Sequence, residues 1–225
     1  MLTNMGAHHN HDHDSIELDL DIYERCMSHV QLISSAQLEH LNPDDIKPDP
    51  SSIFIKGVPA KFNKQFSYVC AHFQEIKDTN ISLRFQPISM TMQARPNIWT
   101  VLGGEREYFV FINTERNKNG LLLEDIPFNA QIGIIAHELC HIIDYHYKTN
   151  WEIVKTGLWY LKKRNQEHYE KAIDYLVIKK GFGHQLRDWS HFVLNHGSLT
   201  DKYKKTKETY YLGPDEIDRC VNAIH

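Results

Sequence analysis

An α+β fold, with a small mixed or antiparallel sheet followed by a mostly helical half, is the architecture this sequence predicts. Three observations point to it. Strand signals cluster between Ile81 and Asn113, and apolar positions at helical spacing dominate from Asn129 onward. No internal repeat breaks that order, which suits helices segregated from a sheet. The 225 residues are enough for one substantial domain. The expected organisation is a tail over residues 1–15 and a single domain over 16–225.

Taken in order, the tail carries His8, His9, His11 and His13 beside Asp12 and Asp14. No apolar pattern anchors it, so it reads as disordered, with loose metal binding as the lesser alternative. Residues 16–41 have apolar positions compatible with one or two helices. Asn42 to Ser52 contains three prolines and reads as a linker or extended loop. Phe62, Phe66, Val69, Phe73 and Ile76 recur at helical spacing. Ile81 to Phe85 alternates as a strand does, Ile88 to Gln93 reads as a second strand, and the aromatic, β-branched run Glu107 to Asn113 as a third. Asn117 to Gly120 is a polar turn. Asn129 is the expected N-cap of a helix reaching about Tyr147. Helices follow over about Trp151–Lys162, Asn165–Lys180 and Arg187–Leu194, and a short one runs from Pro214 to near Ala223. Gly181-Phe182-Gly183 supplies a helix stop.

Composition narrows the function classes. The formal net charge is −4, so no broad attraction to nucleic acid is expected. The basic cluster Lys202 to Lys207 is offset by Asp201 and Glu208 and reads as a solvated loop or helix face. No stretch is long and apolar enough to span a bilayer. The N-terminus has no apolar leader segment, so the chain as written reads as cytoplasmic; a secreted or periplasmic protein trimmed of its leader reads the same. Cys26, Cys70, Cys140 and Cys220 are widely spaced, which argues against a thiolate zinc knuckle and a dense disulfide framework. Cys140 reads as a small buried side chain.

The chemistry concentrates in His137-Glu138-Leu139-Cys140-His141. Histidines four apart on a helix lie on one face, one turn apart, where a single Zn²⁺ can bridge them. Glu138 is rotated by roughly 100° from His137 about the axis. It therefore flanks the metal and can take a proton from water as general base. Ile135, Leu139 and Ile142 form one apolar stripe, and Ala136, Cys140 and Ile143 another. The helix can thus be buried on two sides while its histidine edge faces a cleft.

A third ligand must come from farther along. The pattern HExxHxxGxxH needs Gly at 144 and His at 147, where this chain has Asp144 and Tyr147. His146 is too close along the same helix. Glu152, Glu167, His168 and Glu170 are the candidates. Glu170 is favoured because it shares a helix face with Asp174, four residues on. Like charges at that spacing repel by a few tenths of a kcal/mol. The conflict disappears if Glu170 ligates the metal while Asp174 accepts the outer N–H of a zinc-bound histidine. The plainer alternative is a solvated acidic face with Glu167 paired to Lys171.

His137-Glu138-Leu139-Cys140-His141 followed by Glu170-Lys171-Ala172-Ile173-Asp174 resembles the gluzincin metallopeptidases. The compact organisation looks most like minimal gluzincin domains related to the M48 type, the stretch from Asn129 through Gln185 is also similar to a group of bacterial proteins of this kind, and the resemblance covers mainly residues 105–185. It implies a zincin-like fold with the HExxH helix at the cleft, and zinc-dependent hydrolysis of peptide bonds. His137, His141 and Glu170 would hold Zn²⁺, Glu138 would be the catalytic base, and Asp174 would orient a ligand histidine. It also implies an edge strand, here placed at Tyr108 to Asn113, along which a peptide or protein substrate pairs. An oxyanion stabiliser is required as well, and Tyr160, His168 and His184 are the candidates. The alternative function is a non-catalytic zinc-binding scaffold or interaction module of the same fold.

Overall fold

A computed structural model describes residues 38–116 and 120–224. The tail over residues 1–15, the helices expected from residue 16, Cys26 and most of the turn at 117–120 lie outside the described residues. The architecture is α+β, a mixed three-stranded sheet followed by helices. Helix α1 (Asn63–Ala71) leads into β1 (Asn80–Gln86), β2 (Met92–Pro96), the short α2 (Ile98–Leu102) and β3 (Glu107–Asn113). The helical half is α3 (Phe128–Tyr147), α4 (Asn150–Trp159), α5 (Lys163–Lys179), α6 (Gly183–Asn195), α7 (Asp201–Tyr210) and α8 (Pro214–Ile224). No helix among the described residues is long and apolar enough to cross a membrane.

Strand order is β1-β3-β2. β3 pairs in parallel with β1 and antiparallel with β2, with Val110 opposite both Leu83 and Ala94. This corrects the expectation that Tyr108 to Asn113 is an edge strand. Both sides of β3 are already hydrogen-bonded, so no peptide can add there. Among the described residues, the free edge nearest the long helix belongs to β2. Its start is also later than expected, at Met92, because the Ile88 N–H is taken by the side chain of Asn113 at 3.2 Å. Pro96 ends it where a missing donor costs nothing.

Helix α3 organises the packing. Residues Ala130 to Asp144 are all buried, which explains the two apolar stripes of its sequence. It packs on β2, α1, α5 and, most extensively, α6. Asn129 lies inside its first turn and not at the N-cap, which is Pro127. The Asn129 side chain instead accepts from Leu41 N–H and donates to Leu41 C=O, both at 3.0 Å, pinning the incoming chain. Helix α1 stops at Ala71, short of Ile76, with the Gln74 side chain donating to Cys70 C=O at 3.0 Å. The basic run at 202–207 is a helix, α7, opened by Thr200, whose Oγ1 accepts the Tyr203 N–H at 3.3 Å.

One glycine sets how close α3 and α6 come. A Cβ at Gly133 would stand 2.2 Å from the backbone oxygen of Gln185. Only a residue without a side chain allows this crossing. Gly133→Ala should therefore destabilise the protein by about 1–3 kcal/mol despite alanine's better helix propensity, read as a lower midpoint in urea unfolding.

Candidate metal centre

The site forms where α3 and α5 face each other. On α3, the four-residue spacing of His137 and His141 stacks their rings on one side, with centroids 4.8 Å apart. On α5, Glu170 and Asp174 share the face turned toward them. All four are buried: His137 is 5% exposed, His141 7%, Glu170 3% and Asp174 1%.

Three ligand atoms converge. His137 Nε2 and His141 Nε2 are 3.1 Å apart, and Glu170 Oε2 lies 3.3 Å from the first and 3.4 Å from the second. Four ligands held at 2.0–2.1 Å around a tetrahedral ion stand about 3.3–3.4 Å from one another. The three observed separations match the edges of such a tetrahedron. Glu170 Oε2 accepts no hydrogen bond although it is fully shielded from solvent. An orphaned carboxylate oxygen facing two imidazole nitrogens is the arrangement a cation would complete, so this His-His-Glu group can hold a metal ion.

The surroundings orient these atoms. His137 Nδ1–H donates to Asp174 Oδ1 at 2.9 Å, which aims Nε2 at the centre. Asp174 Oδ2 accepts the Leu212 N–H at 2.9 Å. Glu170 Oε1 accepts from the Tyr160 hydroxyl at 2.5 Å, leaving Oε2 for the centre. The His141 ring lies between Tyr145, nearly parallel at 6.2 Å, and Tyr169 at 5.4 Å. Tyr169 is fixed by Asp144, whose carboxylate accepts its hydroxyl at 2.6 Å and the Lys148 ammonium at 2.5 Å. The residue that breaks the HExxHxxGxxH pattern thus anchors a wall of the site. Glu138 sits beside the centre, its Oε2 accepting the Ala94 N–H from the free edge of β2 at 2.5 Å.

Electrostatics follow from this crowding. Burial pushes the His137 pKa down, but its hydrogen bond to Asp174 and the close carboxylates of Asp174 and Glu170 prevail, raising it from 6.5 to about 10. Burial pushes Glu170 up, and the two histidines overcome this and hold it well below the usual carboxylate range. The Tyr160 hydroxyl is raised by burial and by the Glu170 carboxylate.

The structure brings His137, His141, Glu170, Glu138, Asp174 and Tyr160 together. It does not bring in the other two oxyanion candidates. His168 is on the exposed side of α5, and His184 packs against His40 with ring centroids 5.7 Å apart. Glu152 is occupied as the capping-box partner of Thr149, and Glu167 pairs with Lys171 at 3.0 Å. Tyr211, which sequence reasoning missed, packs against the His137 ring at 5.6 Å. Burial and the nearby Glu170 hold its hydroxyl well above the ordinary tyrosine range. The four-residue spacing of Tyr203, Lys207 and Tyr211 was the available signal.

No family model, curated protein or solved structure matches the chain.

In the metal-free protein, His137 stabilises the fold as an imidazolium. Its folded pKa of about 10 exceeds its ordinary 6.5, so this stabilisation is complete below pH 6.5 and is lost as pH rises through about 10. Thermal unfolding of metal-free protein should show Tm falling across that window. In His137→Gln the fall should be smaller.

Proposed function

We propose that this chain is a zinc-dependent peptidase. The observation that carries the reading is the tetrahedron-edge spacing of His137 Nε2, His141 Nε2 and Glu170 Oε2, with the Glu138 carboxylate beside it on a free strand edge. Two imidazoles and one carboxylate suit Zn²⁺ with a fourth position open, the donor set of hydrolytic zinc sites. When bound, zinc supplies a Lewis acid that polarises a carbonyl and acidifies water.

The chain's own residues supply the rest. The Ala94 N–H holds one oxygen of Glu138 and leaves the other to take a proton from the attacking water. Glu138 then returns that proton to the leaving amine. Asp174 keeps His137 in the tautomer that offers Nε2. Tyr160 restrains Glu170 through one oxygen. Tyr211, whose ring packs against His137 and lines the same cavity as Glu138, is the better placed donor for the developing oxyanion, because the Tyr160 hydroxyl is already committed to Glu170. An extended peptide would lie along β2. The Ala94 N–H points away from β3, so by alternation Met92 also presents its backbone groups to that side.

A second reading, a zinc-holding module without turnover, draws support from the depth of the site. Glu138 is 5% exposed and Tyr203 and Lys207 of α7 cover the centre.

The two readings separate by experiment. Replacing His8, His9, His11 and His13 with Ser removes the tail's own metal affinity. That protein should bind one zinc per chain by elemental analysis, and substoichiometric zinc would defeat the assignment. In that background Glu138→Gln should keep the zinc and abolish cleavage of a mixed peptide library. Retained zinc with no cleavage by the parent favours the module. Tyr211→Phe should keep zinc and lower kcat by about 10²–10³-fold with little change in KM.

A further inference from the structure

Tyr203 and Lys207 are four apart and so share a face of α7, and Tyr211, the extended residue just past the end of the helix, lines the same cavity. Together they wall a cavity whose floor includes His137 and Glu138. Lys207 also borders the neighbouring cavity lined by Asp174, Leu186 and Trp189. Its ammonium rests on the Tyr211 ring, 3.6 Å from the centroid. Among the described residues no carboxylate pairs with it. The acids of the site are engaged elsewhere: Glu138 by Ala94, Glu170 by Tyr160, and Asp174 by His137 and Leu212.

A cation held over an aromatic ring, with no carboxylate in pairing distance among the described residues, is arranged for an incoming anion. We propose that Lys207 forms an anion subsite beside the metal centre, so that the site takes peptide-like substrates bearing a carboxylate next to the group at the metal. Cation–π contact positions the ammonium without neutralising it. The partly desolvated surroundings strengthen its pull on a carboxylate relative to open water. The neighbouring aromatic and apolar side chains, Trp189 and Met92 among them, would contact the carbon skeleton that carries the anion. The other lysines of the run do not line these cavities, so the charge is local to the site and not a general basic surface. This subsite rests on the zinc-site reading above.

The test reads binding and not turnover. The full chain is loaded with cobalt(II), whose visible absorption reports an inhibitor entering the metal's open position. Three hydroxamates are titrated, one joined to leucine amide, one to leucine with a free carboxylate and one to glutamate amide. At least one anionic probe should bind tenfold or more tighter than the neutral one. The gain should shrink as ionic strength rises. It should vanish in Lys207→Met and persist in Lys207→Arg and in Lys205→Met. Whichever anion gains identifies a terminal carboxylate or an acidic side chain as the natural feature. Equal affinity for all three, or a gain that survives Lys207→Met, overturns the subsite while the metal reading stands. Cobalt-loaded protein that responds to no hydroxamate, or a chain that takes up no cobalt, overturns the open-site reading and the subsite with it.

Discussion

Asp174 is a buried carboxylate with both oxygens engaged by donors from different parts of the chain. One accepts the ring N–H of His137 on α3, the other the backbone N–H of Leu212 after α7. A carboxylate this deep is tolerated only when its lone pairs are satisfied, and the geometry that satisfies them fixes three segments relative to one another. His137 is aimed at the centre through Nε2. Glu170, one turn earlier on α5, is brought within reach of the same point. Leu212 is fixed, and with it the neighbouring Tyr211 against the His137 ring. The rest of the site depends on that single group.

Placing so many ionisable groups in one dry volume has a cost that the fold must offset. In the metal-free state the offset is internal: a proton on His137 balances Glu170 and Asp174. A cation at the centre would do the same work with a fixed charge and displace that proton, which couples metal affinity to pH. Rigid neighbours keep the groups from relaxing apart. Helix α3 is locked on α6 by the contact at Gly133, and His141 is held between tyrosines, one of which Asp144 anchors.

The residues legible in the sequence were those governed by short-range geometry. His137, Glu138 and His141 follow from helical spacing, and the like-charged neighbours Glu170 and Asp174 marked the facing helix because their repulsion called for a reason. The α+β order was legible because the periodicity changes once along the chain. Long-range pairing was not. Nothing in Glu107 to Asn113 reveals that β1 and β2 flank it on both sides, so the wrong strand was read as the edge. Helix α7 escaped for a different reason: none of its residues is fully buried, so it has no apolar stripe to betray which way it faces. Tyr203 and Lys207 on it, and Tyr211 just past its end, look like ordinary surface until the site is seen beneath them.

The bond from Ala94 to Glu138 also bears on how this chain avoids sticking to copies of itself. A sheet edge with unpaired donors and acceptors invites another strand, and such edges seed aggregation unless blocked. At β1 the edge is covered in part by Lys56, whose N–H and C=O bond to Ile81 and Leu83. At β2, Pro96 offers no donor and Ala94 has its donor engaged by a carboxylate. A strand pairing through Ala94 would have to displace that acceptor, which leaves the edge open only beside Met92, where the proposed peptide would lie. Glu138, proposed as the proton carrier, thereby also guards Ala94 against unwanted β-pairing.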